Sequence, residues 1–353
     1  MNFILTHSLL LPQAPAVSLK PGIPAIQALA APGRIVLANE NDLRQLTGSL
    51  RPTDRISSIN VKKALAALVN KEPDGDTIKI QLPDGTVVAV RYLNGDTYET
   101  HFLYRKQGDI ADRQTDANLA ALGAVCTWQE PRGKVLSMVP DPLVVRLLVK
   151  GTDRYGRLLG MPLKHDADIG DIPEGEIAPD SPAFVRLLEA SVNYYLTQTG
   201  NTFTTFYSDV TPVEIAVFLS ALRFAQGNES GIHKPGADQT YTGLTVSTAA
   251  NLKGNIPIHP VLFRRLVAYY SKNKTFDADG FIKFLRDNPD HMRRIKPAYT
   301  DGDIKKVKGK TLEALLETGD VCLHDIIEIK KAGRGSGFVI RLTEPMENFV
   351  RFN

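Results

Sequence analysis

Asp76, Asp96 and Glu99, interleaved with Arg91 and Arg157, are the residues of this chain whose types and spacing suit a chemical task. They occur in three segments: Asp74-Gly75-Asp76-Thr77, then Arg91-Tyr92-Leu93-Asn94-Gly95-Asp96-Thr97-Tyr98-Glu99, and later Thr152-Asp153-Arg154-Tyr155-Gly156-Arg157. Two neighbouring carboxylates hold a hard divalent cation, a third takes a proton from water, and arginine grips phosphate through a planar two-donor fork. Phosphodiester hydrolysis asks for these parts, because attack by water builds negative charge on the phosphoryl oxygens and fixed cations lower the barrier. Asp-Gly-Asp-Thr alone would be an ordinary turn. Its company gives it weight.

The order of the three segments resembles the staphylococcal-nuclease (thermonuclease) family. Ser191-Val192-Asn193-Tyr194-Tyr195-Leu196, followed by Gly200, is similar to that family's Val-Asn-x-x-Leu helix and the glycine closing it. The likeness covers residues 58–208. It implies a five-stranded OB-type barrel with flanking helices. It also implies that Asp76, Asp96 and the Thr97 carbonyl hold Ca²⁺, that Glu99 positions and deprotonates the attacking water, and that Arg91 and Arg157 clamp the phosphate. Asp74 and Asp153 would support the metal loop and the Arg157 loop from behind, while Tyr155, Phe206 and Tyr207 would stack on a base or sugar. The implied activity is that of a Ca²⁺-dependent endonuclease on DNA and RNA that leaves 3′-phosphates.

Two departures stand out. Tyr98 occupies the position where the family usually has proline, so a less rigid backbone is expected on the way into Glu99. An insertion between Arg157 and Ser191 carries Lys164-His165-Asp166-Ala167-Asp168 and reads as a solvated acidic loop. The contrasting expectation is a nuclease-fold module that binds nucleic acid or protein without cutting. Such a module would be expected to lack one of Asp76, Arg91, Asp96, Glu99 and Arg157, and all five are present.

Other motifs give less. Asp277-Ala278-Asp279-Gly280 fails as an EF-hand because Arg286 stands where the bidentate Glu belongs. The Gly333–Gly337 run reads as a hairpin loop, since the apolar residues after it suit a strand rather than a helix. His324-Asp325 carries no metal signal from sequence. Cys126 and Cys322 are expected to be buried thiols rather than a disulfide. With a net charge of +3 over 353 residues, attraction for nucleic acid must come from local patches. One such patch is Val261–Lys310, with 13 Lys or Arg against 6 Asp or Glu and with Phe263, Tyr269, Tyr270 and Phe276 interleaved. Core aromatics under solvated helix faces are the plainer reading of that segment. No run approaches the ~20 apolar residues of a membrane span. Met1–Leu19 lacks a positive n-region and is interrupted by Pro12 and Pro15, so a cytoplasmic protein is expected.

The elements that must position these residues form an α+β pattern in three parts. Residues 1–57 are an extension without assignable chemistry, with a short helix near Asn39–Thr47. Residues 58–208 form the barrel, beginning at Val61–Val69. Its best-determined strands are Thr77–Leu82 and Thr86–Tyr92, which alternate or are β-branched around the turn Pro83-Asp84-Gly85. Asp116–Leu122 and Phe184–Thr197 are read as helices and Val144–Val149 as a buried strand. Residues 209–353 are an accessory domain of helices ending in strands, with Asp209 or Thr211 capping the helix Val213–Phe224.

Overall fold

The computed structural model describes residues 5–9, 34–38, 74–81, 87–129, 135–140, 143, 145–153, 155–170, 172, 175–333 and 337–352. The expectations for Asn39–Thr47, Val61–Val69 and Pro83-Asp84-Gly85 lie outside these residues, as does the middle of the Gly333–Gly337 loop. The fold is α+β. Contacts divide the chain into two units that interleave in sequence, Met1–Leu93 with Asn118–Tyr195 and Asn94–Ala117 with Leu196–Asn353. The expected boundary at Ser208 does not coincide with either. The motif segment Asp96–Glu99 falls in the second unit together with most of the expected accessory domain.

The first unit is built on one seven-stranded sheet of β1 (Leu5–Leu9), β2 (Arg34–Ala38), β3 (Thr77–Gln81), β4 (Val87–Tyr92), β7 (Leu147–Thr152), β8 (Leu158–Pro162) and β9 (Gly175–Ile177). Its order is β3-β4-β8-β7-β1-β2-β9. The extension read as lacking a role therefore supplies two strands. A separate ribbon pairs β5 (Val125–Trp128) with β6 (Val135–Val139). The β-branched run of β4 alternates: Val88, Val90 and Tyr92 are buried, while Ala89 and Arg91 are half-buried. β3 pairs antiparallel with β4, setting Thr77 opposite Arg91, and β4 pairs parallel with β8, setting Arg91 opposite Leu159. Closing a sheet into a barrel requires its edges to pair. Among the described residues no closed barrel is formed.

Helix α1 (Asp109–Ala121) begins earlier than its apolar pattern suggested. The helix read across Phe184–Thr197 is two helices, α2 (Pro182–Glu189) and α3 (Val192–Gln198). Ser191 breaks it. Its hydroxyl donates to the Leu188 carbonyl at 2.6 Å and accepts from the Tyr194 N–H at 3.0 Å, so the side chain ends one helix and caps the next.

In the second unit, α4 (Pro212–Gly227) starts at Thr211, which forms a capping box with Glu214. The remaining elements are β10 (Phe206–Tyr207), β11 (Leu244–Val246), α5 (Pro260–Tyr270), α6 (Ala278–Asp287), β12 (His291–Arg294), α7 (Ile304–Val307), α8 (Leu312–Leu315), β13 (Val321–Cys322), β14 (Ile327–Lys331), β15 (Phe338–Leu342) and β16 (Phe349–Phe352). They form the sheets β10-β16-β12-β13 and β11-β15-β14. Phe263, Tyr269, Phe276 and Phe281 belong to one buried cluster with Leu266, Leu342 and Phe349. Of the basic segment's aromatics, Phe263, Tyr269 and Phe276 are thus core, and Tyr270 packs half-buried against them. Asp277 caps α6, accepting from the Gly280 N–H at 2.9 Å. Cys126 and Cys322 are half-buried thiols outside any disulfide, rather than buried. Among the described residues no helix is long and apolar enough to cross a membrane.

Candidate functional site

In the first unit, the β3–β4 register brings the buried Asp76 carboxylate against the Arg91 guanidinium. The Tyr92 N–H donates to the Asp76 carbonyl at 2.9 Å, and the Thr77 hydroxyl donates to its carboxylate at 3.2 Å. Asp74 closes the turn before β3: its Oδ1 accepts from the Gly75 N–H at 2.9 Å and its carbonyl accepts from the Asn118 amide at 3.2 Å. Asn118 also accepts from the Tyr92 hydroxyl at 2.7 Å. Burial pushes that hydroxyl's pKa well up, so Tyr92 serves as a neutral donor.

Arg157 sits at the end of the β7–β8 hairpin, in a turn that Gly156 makes possible by adopting φ of 78°. Asp153 organises this turn. One of its oxygens accepts from the backbone N–H groups of Tyr155 (2.9 Å) and Arg157 (3.0 Å), and the other accepts from Arg157 Nε at 2.7 Å. The Arg157 guanidinium also lies 5.5 Å from the centroid of the exposed Tyr155 ring. Arg157 immediately precedes β8, whose Leu159 pairs with Arg91 on the parallel strand β4.

In the second unit, the segment Asn94–Glu99 is pinned at several points. Asn94 adopts φ of 60°, and its amide donates to the buried Glu214 carboxylate at 3.1 Å. A Cβ on Gly95 would lie 2.9 Å from the Thr202 hydroxyl, which itself donates to the Asp96 carbonyl at 3.1 Å. Asp96 exchanges two backbone hydrogen bonds with Phe203, each 2.9 Å. Thr97 is buried. Tyr98 does not loosen the segment as its departure from proline suggested. Its N–H, which proline would lack, donates to Gln114 at 2.6 Å, and its ring packs edge-on against Phe203 at 5.2 Å. Gln107 receives the Glu99 N–H at 2.9 Å and donates to the carbonyls of Ile256 and Ile258 at 2.9 and 2.8 Å. That bond set ties the segment to the stretch leading into α5.

Helix α5 carries the residue that sequence reasoning missed. Arg264 forks onto Asp96, with Nη1 to Oδ1 at 3.2 Å and Nη2 to Oδ2 at 2.6 Å, and its Nη1 also donates to Glu99. Asp96 is 0% exposed, and the side chains of Glu99 and Arg264 are 12% and 23% exposed. Burial alone would lower the Arg264 pKa. The charges of Asp96 and Glu99 and the hydrogen bonds to Asp96 outweigh it and raise it. His259 caps α5, its Nδ1 accepting from the Val261 N–H at 3.2 Å. Burial pushes its imidazole down to about 3, so His259 is neutral. No spacing rule links Arg264 to Glu99, 165 residues away.

These contacts decide whether Ca²⁺ fits the expected ligands. Ca²⁺ takes about 6–8 oxygen ligands. Both oxygens of Asp96 serve a guanidinium, and the same guanidinium engages Glu99. As placed, Asp96 does not accept a divalent ion unless Arg264 leaves first.

The expected stacking pair also changes. Phe206 is 0% exposed and cannot stack on a base, which corrects its assignment. Tyr207 is half-buried, and Arg351 both covers its ring at 5.4 Å and donates to its hydroxyl at 3.3 Å. The expected basic surface is likewise interrupted. Arg264, Arg265, Arg293, Arg294 and Lys306 pair with Asp96, Asp290, Glu313, Glu344 and Asp301 respectively, while Lys272, Lys274, Lys305, Lys308 and Lys310 are exposed. A cavity of about 310 Å³ in the second unit, bordered by Asp238, Glu347, His233 and Tyr241, contains none of the motif residues. Compared with known proteins, the chain matches no family model and no curated protein.

Proposed function

We propose that the chain is a thermonuclease-like hydrolase, with an OB-type sheet in its first unit, that cleaves phosphodiester bonds of DNA and RNA. The observation that carries this is the pair Arg91 and Arg157. Arg91 is held by Asp76 from the neighbouring strand segment and Arg157 by Asp153 of its own motif, and the strand that begins right after Arg157 pairs with the one that carries Arg91. Two guanidinium groups carried by paired strands, each held by a carboxylate, suit a phosphodiester group. By the family resemblance alone, the arginines bind the phosphate and Glu99 takes the proton of the attacking water. The oxygen of that water bonds to phosphorus as the bond to the 5′ oxygen breaks and that oxygen takes a proton from solvent, leaving 3′-phosphate and 5′-hydroxyl ends. No step is assigned to Ca²⁺, because Arg264 holds the carboxylate that would bind it.

The test is a cleavage gel of the purified full chain with single-stranded DNA, duplex DNA and RNA, each with Ca²⁺, Mg²⁺ or EDTA. Cleavage that disappears in Glu99→Gln is expected. Folded protein that cuts nothing in any lane sinks the proposal. One observation favours a second reading, a nuclease-fold module that binds nucleic acid or protein without cutting: Arg264 engages both the base and the expected metal ligand. That reading predicts retained nucleic-acid or protein binding and empty cleavage lanes.

A further inference from the structure

We infer that the second unit carries a transition-metal site, of the class that takes Zn²⁺, formed by Cys322, His324, Asp325 and His291. One ligand atom from each of Cys322, His324 and Asp325 lies within 4.8 Å of those of the other two. His324 Nε2 is 3.5 Å from Asp325 Oδ1. The fourth donor comes from a different strand and lies beside this trio, next to Cys322, rather than within it. His291 in β12 is the cross-strand partner of Cys322 in β13, and its Nδ1 is 3.9 Å from the Cys322 sulfur.

With Zn–S bonds of about 2.3 Å and Zn–N and Zn–O bonds of about 2.0–2.2 Å, ligand atoms on a zinc tetrahedron sit roughly 3.3–3.7 Å apart. The separations of 3.5 and 3.9 Å are already close to those edges. The local backbone fixes two of the donors. Asp325 caps the turn Leu323–Asp325 by accepting the Cys322 N–H through Oδ2 at 2.8 Å, while its other oxygen, Oδ1, is the one beside His324. The His324 ring buries Nδ1, so Nε2 is the nitrogen it offers.

The donor set chooses the metal. A thiolate with two imidazoles and one carboxylate suits Zn²⁺ or Co²⁺ and not the hard ions Ca²⁺ and Mg²⁺. Four protein donors leave no open position for substrate, which marks a structural site. Its mechanical task is visible in the sheet. β13 pairs with β12 over only two residues, His291 with Cys322 and Met292 with Val321. A metal joining His291 to Cys322 would lock that short pairing and with it the segment between, which contains α7 and α8.

Full-length protein, stripped with EDTA and desalted, is titrated with Co²⁺ and followed by absorption. One equivalent should produce a thiolate-to-Co²⁺ charge-transfer band with intense visible bands of tetrahedral Co²⁺, and Zn²⁺ should bleach them. Cys322→Ser should abolish the charge-transfer band, and His291→Ala should weaken binding by about tenfold or more. Zn²⁺ should also raise the melting temperature of the wild type and leave Cys322→Ser unchanged. Absence of a thiolate band in the wild type overturns the site. So does a band that survives in Cys322→Ser, because the chain's other thiol, Cys126, would then be its source. Absorption is read without nucleic acid, so neither outcome depends on the cleavage assay.

Discussion

Removing Arg264 should be the most destabilising single change near the motif residues. Arg264→Ala leaves Asp96, which is 0% exposed, without the fork that engages both its oxygens, and takes from Glu99 the guanidinium that engages it. Breaking a buried ion pair from one side typically costs ~3–5 kcal/mol. With 23% of the Arg264 side chain exposed, water can partly screen the two carboxylates, so the lower part of that range, ~3 kcal/mol, is expected. Arg264→Lys keeps the charge and loses the two-donor geometry, which places it between wild type and alanine. Adding Asp96→Asn to Arg264→Ala should recover part of the loss, because a neutral amide needs no counter-charge.

The assay is urea unfolding followed by far-UV circular dichroism, with the slope checked for constancy before midpoints are compared. Ca²⁺ provides an internal control. If the freed carboxylates accept it, Ca²⁺ at 100 times its dissociation constant would return about 2.7 kcal/mol to Arg264→Ala and nothing to the wild type. An Arg264→Ala midpoint within about 0.5 kcal/mol of wild type, at unchanged slope, would refute the reasoning. The guanidinium would then be a spectator.

The other expectations are quickly checked. Arg157→Lys should lose at least ~10²-fold in cleavage rate, measured by single-turnover kinetics, because a point charge cannot reproduce the fork on phosphate; retention of a third of the rate contradicts that. Phe206→Ala should cost ~3–5 kcal/mol in urea unfolding, since the ring is fully buried in the β10–β16 pairing, and a cost below about 1 kcal/mol would return it to the surface. Burial raises the Asp238 carboxyl to about 6 from its usual 3.8, a difference of about 3 kcal/mol. A raised carboxyl stabilises the fold below pH 3.8 and loses that contribution as pH rises through 6. Asp238→Asn should therefore match wild type near pH 4 and exceed it at pH 8, and equal stabilities across that range would contradict the shift.

What was legible in the sequence was local. Val87–Tyr92 announced its strand because β-branched residues alternate there, and the register that follows sets Thr77 opposite Arg91. Asp209 or Thr211 was legible as the cap of α4, and the structure selects Thr211 through a capping box with Glu214. The break at Ser191 was hidden because helix propensity runs on through it, and only the bonds of one hydroxyl end the first helix. Phe206 and Tyr207 read alike as adjacent aromatics. A two-residue pairing with β16 buries Phe206 and leaves Tyr207 half-buried beside Arg351. Arg264 and the His291–Cys322 pair lay out of reach for a different reason. Their partners are set by how distant segments pack, and no spacing rule spans such separations.

The three carboxylate–arginine sets differ in what they leave available, and that difference orders the arginines. Asp153 takes Nε of Arg157, and among the described contacts no carboxylate takes its terminal nitrogens. A phosphate can therefore meet those nitrogens while Asp153 still orients the fork. Arg264 is the opposite case: both terminal nitrogens donate to Asp96, and one also reaches Glu99. To bind phosphate it would have to abandon a carboxylate with no exposure to water, at a cost comparable to breaking the buried pair. Arg157 is thus poised for a ligand and Arg264 for the fold. Substitution at Arg157 should change function before stability, and substitution at Arg264 should change stability first.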